Sequence, residues 1–219
     1  MVRQFRGTQL TRDCVSNSVR QERQRTRRVS FRFGELAVSL ISIGPTALDE
    51  AIARHALNGA NEPLERGNKI LTYAADENVL IAGALGLLVL SWFGRSAQQQ
   101  KAEYLLVNVV AAAVLPHILK RLVDQQRPDR RVHGRRYGVP KSGRAYDAFP
   151  SGHALHIGNL ASVIGRLFPQ WRWVAWSVGS AVAATRVLLL AHWLTDVLAG
   201  LAMGMGLERL IGKLSPPER

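Results

Sequence analysis

A single cysteine, Cys14, stands among 219 residues, so the chain can form no internal disulfide and no cysteine-based metal cluster. Acidic residues are scarce, with 16 Asp and Glu against 29 Lys and Arg and a net charge of +13. No run of alternating apolar and polar residues marks a strand, and no period of roughly 20 to 50 residues marks a repeat. What remains is a helical reading, and the length suits one domain with a tail. So basic a chain raises nucleic acid as a partner, but the charge is not spread for that purpose. It is concentrated in residues 1–32 and 120–144, with apolar stretches between them. Basic blocks between apolar spans suit an anionic bilayer surface or a phosphorylated substrate better than a duplex, so no nucleic acid is expected.

Residues 1–32 hold nine arginines against Asp13 and Glu22 and show no apolar periodicity, which predicts a disordered basic tail. Its composition also resembles an organelle transit peptide. An arm resting on anionic headgroups is the preferred reading. Residues 33–76 read as a short span or interfacial amphipathic helices. The apolar part, 36–48, contains Gly44 and Pro45 and falls short of the roughly 20 residues a spanning helix needs. Over 50–76, Ile52, Leu57, Leu64 and Ile70 alternate with charge as an amphipathic helix would.

From 77 to 214 the chain reads as a transmembrane bundle. Its apolar stretches are 79–93, 104–119, 154–168, 173–186 and 193–211, and one polar residue in a stretch is tolerable where neighbours cover it. Trp92, Trp171, Trp173 and Trp193 lie near the ends of these stretches, as an interfacial belt would. Gly200, Gly204 and Gly206 allow close helix approach, which serves packing within the bundle more readily than a dimer. The fold class is all-α, an integral membrane bundle of five or six transmembrane helices.

Three clusters at the edges of these spans carry the chemistry. Lys120 and Arg127 are two helical turns apart and project from nearly one face if the helix continues to Pro128, which would end it. Pro150-Ser151-Gly152-His153 opens the next helix, where free N–H groups, the Ser151 hydroxyl and the permissive Gly152 suit an anion. In the third cluster, His192 and Asp196 are four apart, so the carboxylate can fix the ring's tautomer. Arg186 and His192 would fall on different faces of one continuous helix. A turn over 187–191 is therefore expected, with Arg186 closing one helix and His192 opening the next. Each cluster alone has a plain reading: a structural hydrogen bond, a helix start, a solvated basic loop. Counting crossings brings all three to one membrane face, and that conjunction favours a site.

Lys120-x6-Arg127-Pro128, Pro150-Ser151-Gly152-His153 and Thr185-Arg186-x5-His192-x3-Asp196 resemble the three signature motifs of the type 2 phosphatidic acid phosphatase and vanadium haloperoxidase superfamily. The resemblance covers about residues 78–211 and departs at Thr185, where the family usually has Ser. Threonine keeps the hydroxyl, so phosphate contact or helix capping is expected to survive.

The resemblance implies a lipid phosphatase in which His192 attacks phosphorus and Asp196 orients it. His153 would protonate the leaving alkoxide and then activate the water that cleaves the phosphohistidine. Lys120, Arg127, Arg186, the Ser151 hydroxyl and the Gly152 N–H would hold the non-bridging oxygens. No cofactor is expected. A metal at His153, His192 and Asp196 would be repelled by three nearby cations, and no further ligand falls at convincing spacing. The partners expected are a lipid phosphate and a bilayer with anionic lipids, and the loop 129–144 could recruit anionic headgroups through Arg130, Arg131, Arg135, Arg136, Lys141 and Arg144.

The family usually faces its site away from the cytoplasm. With a cytoplasmic tail, that orientation requires 36–48 to span, whereas the positive-inside rule favours the opposite arrangement. The reading adopted is an integral protein of a bacterial cytoplasmic membrane with an extracytoplasmic site. Three alternatives stand beside it: a phosphotransferase with a lipid or sugar acceptor, a vanadate-dependent haloperoxidase, and a non-catalytic lipid-phosphate binder or transporter. A pure binder has no need for both His153 and the His192-Asp196 pair. Phosphatidate, phosphatidylglycerophosphate, an isoprenoid diphosphate and a lipid A phosphate would all suit the motifs.

Overall fold

The computed structural model describes residues 40–134 and 143–215. The basic tail expected over 1–32 lies outside them, as do Arg135, Arg136 and Lys141. The described chain begins extended. A two-residue strand β1 (Ile41–Ser42) pairs in parallel with β2 (Val123–Asp124). The Leu40 N–H donates to Leu122 O and the Ile43 N–H to Asp124 O, both at 3.0 Å. The described part of 36–48 is therefore not a crossing helix, and helix begins only at residue 47. Gly44 and Pro45 oppose helix here, and β2 supplies the backbone partners that a helix would otherwise provide.

Helix α1 (Ala47–Asn58) starts at a reciprocal cap, the Thr46 hydroxyl accepting from the Asp49 N–H and the Asp49 carboxylate accepting from the Thr46 N–H. Helix α2 (Glu62–Thr72) is capped by Asn61 and α3 (Glu77–Ser91) by Asp76, with a 3-10 turn at Tyr73–Ala75 between them. The long helix α4 (Ser96–Leu122) contains Pro116, and a short turn α5 (Pro128–Arg131) follows β2. Helices α6 (Gly152–Leu167), α7 (Arg172–Leu188) and α8 (Leu194–Leu214) complete the bundle. The five apolar stretches read from the sequence fall on α3, α4, α6, α7 and α8.

Helix α6 lies at the centre, packed on α8, α7 and α4. Its contact with α8 is backbone to backbone. A Cβ at Gly200 would come 2.6 Å from Ser151 O, and side chains at Gly158 or Gly204 would collide with the facing carbonyls of Leu201 and Leu155. This bears out the packing role of Gly200 and Gly204. For Gly206 there is open space around the Cβ position, so it takes no part.

Outward faces carry large apolar residues, among them Leu87 and Leu90 on α3, Val110 and Val114 on α4, and Val178 on α7. By length and composition one described helix, α4, can cross a bilayer alone. The segments 62–75 and 77–91 qualify only as a pair bent by 43°. Helices α6 and α7 have 16 and 17 residues, at or below the shortest spans a hydrocarbon core of about 30 Å accommodates. Trp92, Trp171 and Trp173 are exposed, as a belt requires, but Trp193 is 1% exposed and its indole N–H donates to Gln126 O at 2.7 Å. Trp193 belongs to a small core with Ala53, Ala148 and Leu190, not to the belt.

Candidate active site

Lys120 sits in the last turn of α4, but the chain leaves the helix at Leu122 to form β2. Arg127 is therefore extended, and Pro128 starts α5 instead of ending α4. The two cations do not project from one helical face as the spacing suggested. They converge through Asp147, whose carboxylate accepts from Arg127 Nε at 2.8 Å and lies 4.0 Å from Lys120 Nζ. Arg127 is nearly fully buried, and its Nη1 donates to Ala191 O at 2.8 Å and lies 3.4 Å from His192 Nε2. Asp147 had no signal in the sequence, because a lone carboxylate in a basic loop has no informative spacing.

The turn expected over 187–191 is present. Arg186 lies in the last turn of α7, and Leu190 adopts φ 53°, the left-handed region. For a side chain such as leucine this conformation costs about 1–2 kcal/mol. The packing of Leu190 with Ala53, Ala148 and Trp193 and the bond from the Asp129 N–H to Leu190 O hold it there. His192 follows the turn and precedes α8 by two residues, so it does not open the helix. The four-residue spacing to Asp196 consequently lacks helical geometry, and Nδ1 lies 3.9 Å from Asp196 Oδ2, beyond hydrogen-bonding distance. The Ala148 carbonyl takes that place at 2.6 Å. A carbonyl only accepts, so Nδ1 carries the proton and Nε2 presents its lone pair on the Arg127 side. A main-chain partner of this kind leaves no trace in a sequence.

Asp196 is completely buried and works on the backbone, accepting the Trp193 N–H at 2.9 Å while its own carbonyl accepts the Ser151 N–H at 3.2 Å. The starts of α6 and α8 are thereby tied together. The buried Ser151 hydroxyl caps α6 by accepting the Ala154 N–H. The Gly152 and His153 N–H groups, in the first turn, have no intrahelical acceptor and carry the positive end of the helix dipole. Thr185 is turned away from the site, its hydroxyl donating to Val182 O one turn back.

His153 is half-buried at the head of α6, and burial first and then the charge of Arg186 act on its ring. Arg186 donates to the Thr72 hydroxyl at 2.9 Å, while its buried Nε has no hydrogen-bond partner among the described residues. An unmatched buried donor near two more cations suits an anion. His192 is held well below its ordinary pKa, first by burial and then by the positive charges of Arg127, Arg186 and Lys120. The imidazole is therefore neutral at physiological pH, the state a nucleophile needs. Among the described residues, no three His, Asp or Glu side chains converge as metal ligands do.

Asp49 on α1 braces the same region. It accepts from the Thr195 N–H at 3.0 Å and the Thr195 hydroxyl at 2.9 Å, in the first turn of α8. Burial opposes its ionisation, but the bonds from Thr195 and Thr46 outweigh it and keep the carboxyl below its ordinary pKa.

The PAP2 superfamily model matches residues 101–216, a segment that holds every residue of the three motifs. The lipid A 1-phosphatase of Rhizobium etli is 36% identical over 122 residues, 53% of this chain and 48% of that protein. The chain thus matches about half the length of this curated relative. The crystal structure of Aquifex aeolicus LpxE superposes with a TM-score of 0.58 at 18% identity, covering 77% of this chain and 96% of that one. The first transmembrane PAP2 type phosphatidylglycerolphosphate phosphatase from Bacillus subtilis gives 0.56 at 20% identity, covering 76% and 84%. These two likenesses concern the fold, which is shared across nearly the whole of the smaller neighbour. With motif order, family model and helical architecture in agreement over the same segment, the chain belongs to the PAP2 superfamily.

Proposed function

We propose that the protein is an integral membrane lipid phosphatase that works without a metal ion, through a phosphohistidine on His192. The observation that carries this reading is the state of that one ring. It is neutral, its Nδ1 is fixed by Ala148 O, and its Nε2 faces Arg127.

Phosphoryl transfer needs a positioned nucleophile and positive charge around the equatorial oxygens. Lys120, Arg127 and Arg186 supply the charge, and the first-turn N–H groups of α6, including that of Gly152, add donors. In the first step Nε2 attacks phosphorus, the P–O bond to the lipid breaks, and His153 gives its proton to the leaving oxygen. In the second, His153 takes a proton from water, whose oxygen attacks phosphorus and releases inorganic phosphate and the free ring. Asp196 acts through the peptide linking His192 to α8, and Ser151 through the start of α6. Asp147 holds Arg127 and Lys120 in place until phosphate arrives.

A lipid substrate and a membrane setting are supported by the outward apolar faces and the length of α4, and by the names of the relatives, a lipid A 1-phosphatase and a transmembrane phosphatase. We place α3, α4, α6, α7 and α8 across the bilayer, the shorter helices being accommodated by local thinning. We assign the site to the extracytoplasmic face of a bacterial cytoplasmic membrane, a reading that the family resemblance supports, and a terminal phosphate on a lipid A type headgroup is the first substrate to test.

The experiment is phosphate release from a panel of lipid A 1-phosphate, undecaprenyl diphosphate, phosphatidylglycerophosphate and phosphatidate, with EDTA present. Rapid acid-free quenching with labelled substrate should trap an acid-labile, base-stable phosphoryl group that is missing in His192→Ala. Abolition by EDTA, or equal labelling of His192→Ala, would overturn the mechanism.

A further inference from the structure

Below the candidate site an apolar groove of about 580 Å³ runs between α6 and α7. Its lining has no charged side chain and no hydroxyl. Ile157 and Ile164 on α6 wall it with Phe168 just past that helix, and Val178 and Val182 on α7. Both walls continue upward into the chemistry. His153 lies one helical turn above Ile157 on the same face of α6, and Arg186 lies one turn above Val182 on the same face of α7. Ala74, at the upper end, is two residues from Thr72, which holds Arg186. From Ile157 to Phe168 the groove extends about 16 Å at 1.5 Å per residue. The groove thus runs along most of α6, from one turn below the site to the Trp171 end of the helix.

We infer that this groove seats a hydrocarbon chain of the substrate, whose phosphate lies among Arg186, His153 and His192 at its head. The inference rests on the lipid phosphatase reading above and specifies how that substrate is held. Its length, its wholly apolar lining and its continuity with the two helix faces that carry the site select an acyl or isoprenoid chain over any polar ligand. Bulk lipid can touch the groove as well, but only a chain covalently joined to the bound phosphate would link its occupancy to turnover.

Filling the groove tests this. Ala175→Phe and Val178→Phe add bulk from the outer wall, where both positions are accessible, and Val110→Phe places the same ring on the exposed face of α4, away from the groove. Each variant is assayed in mixed micelles on dioleoyl phosphatidate and on p-nitrophenyl phosphate, which has no chain. The two groove variants should lose about tenfold or more in kcat/KM on the long-chain substrate. They should keep wild-type activity on the chainless one, and Val110→Phe should change neither. As a second measure, phosphatidate brominated near the chain terminus should quench Trp171 fluorescence, at the far end of the groove, more than brominated phosphatidylcholine does.

Unchanged long-chain turnover in both groove variants, an equal fall on both substrates, or equal quenching by the two lipids would each overturn the inference. Hydrolysis of p-nitrophenyl phosphate by the wild type with none of phosphatidate or the other lipids would instead remove the lipid phosphatase reading itself.

Discussion

Glu208, at the end of the bundle far from the site, is answered on every side: Arg166 bonds both its oxygens and Tyr104 donates to it at 2.8 Å. Asn108 and Asn159 extend this network toward the bundle centre, with Asn159 Nδ2 donating to Asn108 Oδ1 at 3.1 Å. At the other end Lys120, Arg127 and Arg186 gather around a neutral imidazole. Asp147 is the carboxylate that two of them share, and a hydroxyl serves the third. Both ends bury charge, but the far end is electrically closed and the site end carries a surplus. A closed set fixes helices against one another, whereas a surplus stores affinity for an anion that has yet to arrive.

Five substitutions test that contrast. The largest effect is expected at His192→Ala, which should lower phosphate release by about 10³-fold or more while binding of vanadate and the melting temperature in detergent persist. Similar loss of turnover from a far-end substitution would erase the distinction. Next, Arg166→Ala should destabilise the fold by about 3 kcal/mol, because Glu208 stays buried without its cation. Turnover of the surviving folded fraction should be unchanged, in contrast with Arg127→Gln, where kcat falls and stability changes less.

A smaller loss, about 2 kcal/mol, is expected from Asp49→Asn, which weakens the bonds to Thr46 and Thr195. The carboxyl of Asp49 is held below its ordinary pKa. Its contribution is therefore complete above about pH 4 and lost as pH falls through the folded-state value. Chemical denaturation between pH 3 and 7 should show a shallower acid loss in Asp49→Asn than in wild type. The smallest effect concerns the His192 ring, whose folded-state pKa is also lowered. Stability should decline as pH drops below about 6.5, where the unfolded chain takes up the proton first, by about 1 kcal/mol one unit lower. His192→Gln should flatten that slope.

The helices were legible in the sequence because apolar runs of 14 or more residues admit little else, and the five stretches fall on α3, α4, α6, α7 and α8. The convergence of Lys120, Arg127 and His192 was legible from motif order and the counting of crossings. The fine geometry was not. Spacing suggested a shared helix for Lys120 and Arg127 and again for His192 and Asp196, yet in both pairs one member lies outside the helix, displaced by β2 or by the turn at Leu190. Main-chain partners such as Ala148 O and long-range ones such as Thr72 and Asp49 have no sequence pattern at all. Trp193 looked interfacial because position in the chain, not in space, placed it at a span's end.

The pairing of β1 with β2 has a consequence for sidedness. Leu40 is bonded to Leu122, two residues past Lys120, so Leu40 lies at the same end of the bundle as the candidate site. A membrane-impermeant maleimide that modifies Leu40→Cys should also reach Tyr146→Cys, and each position reports the protein's orientation independently of the other.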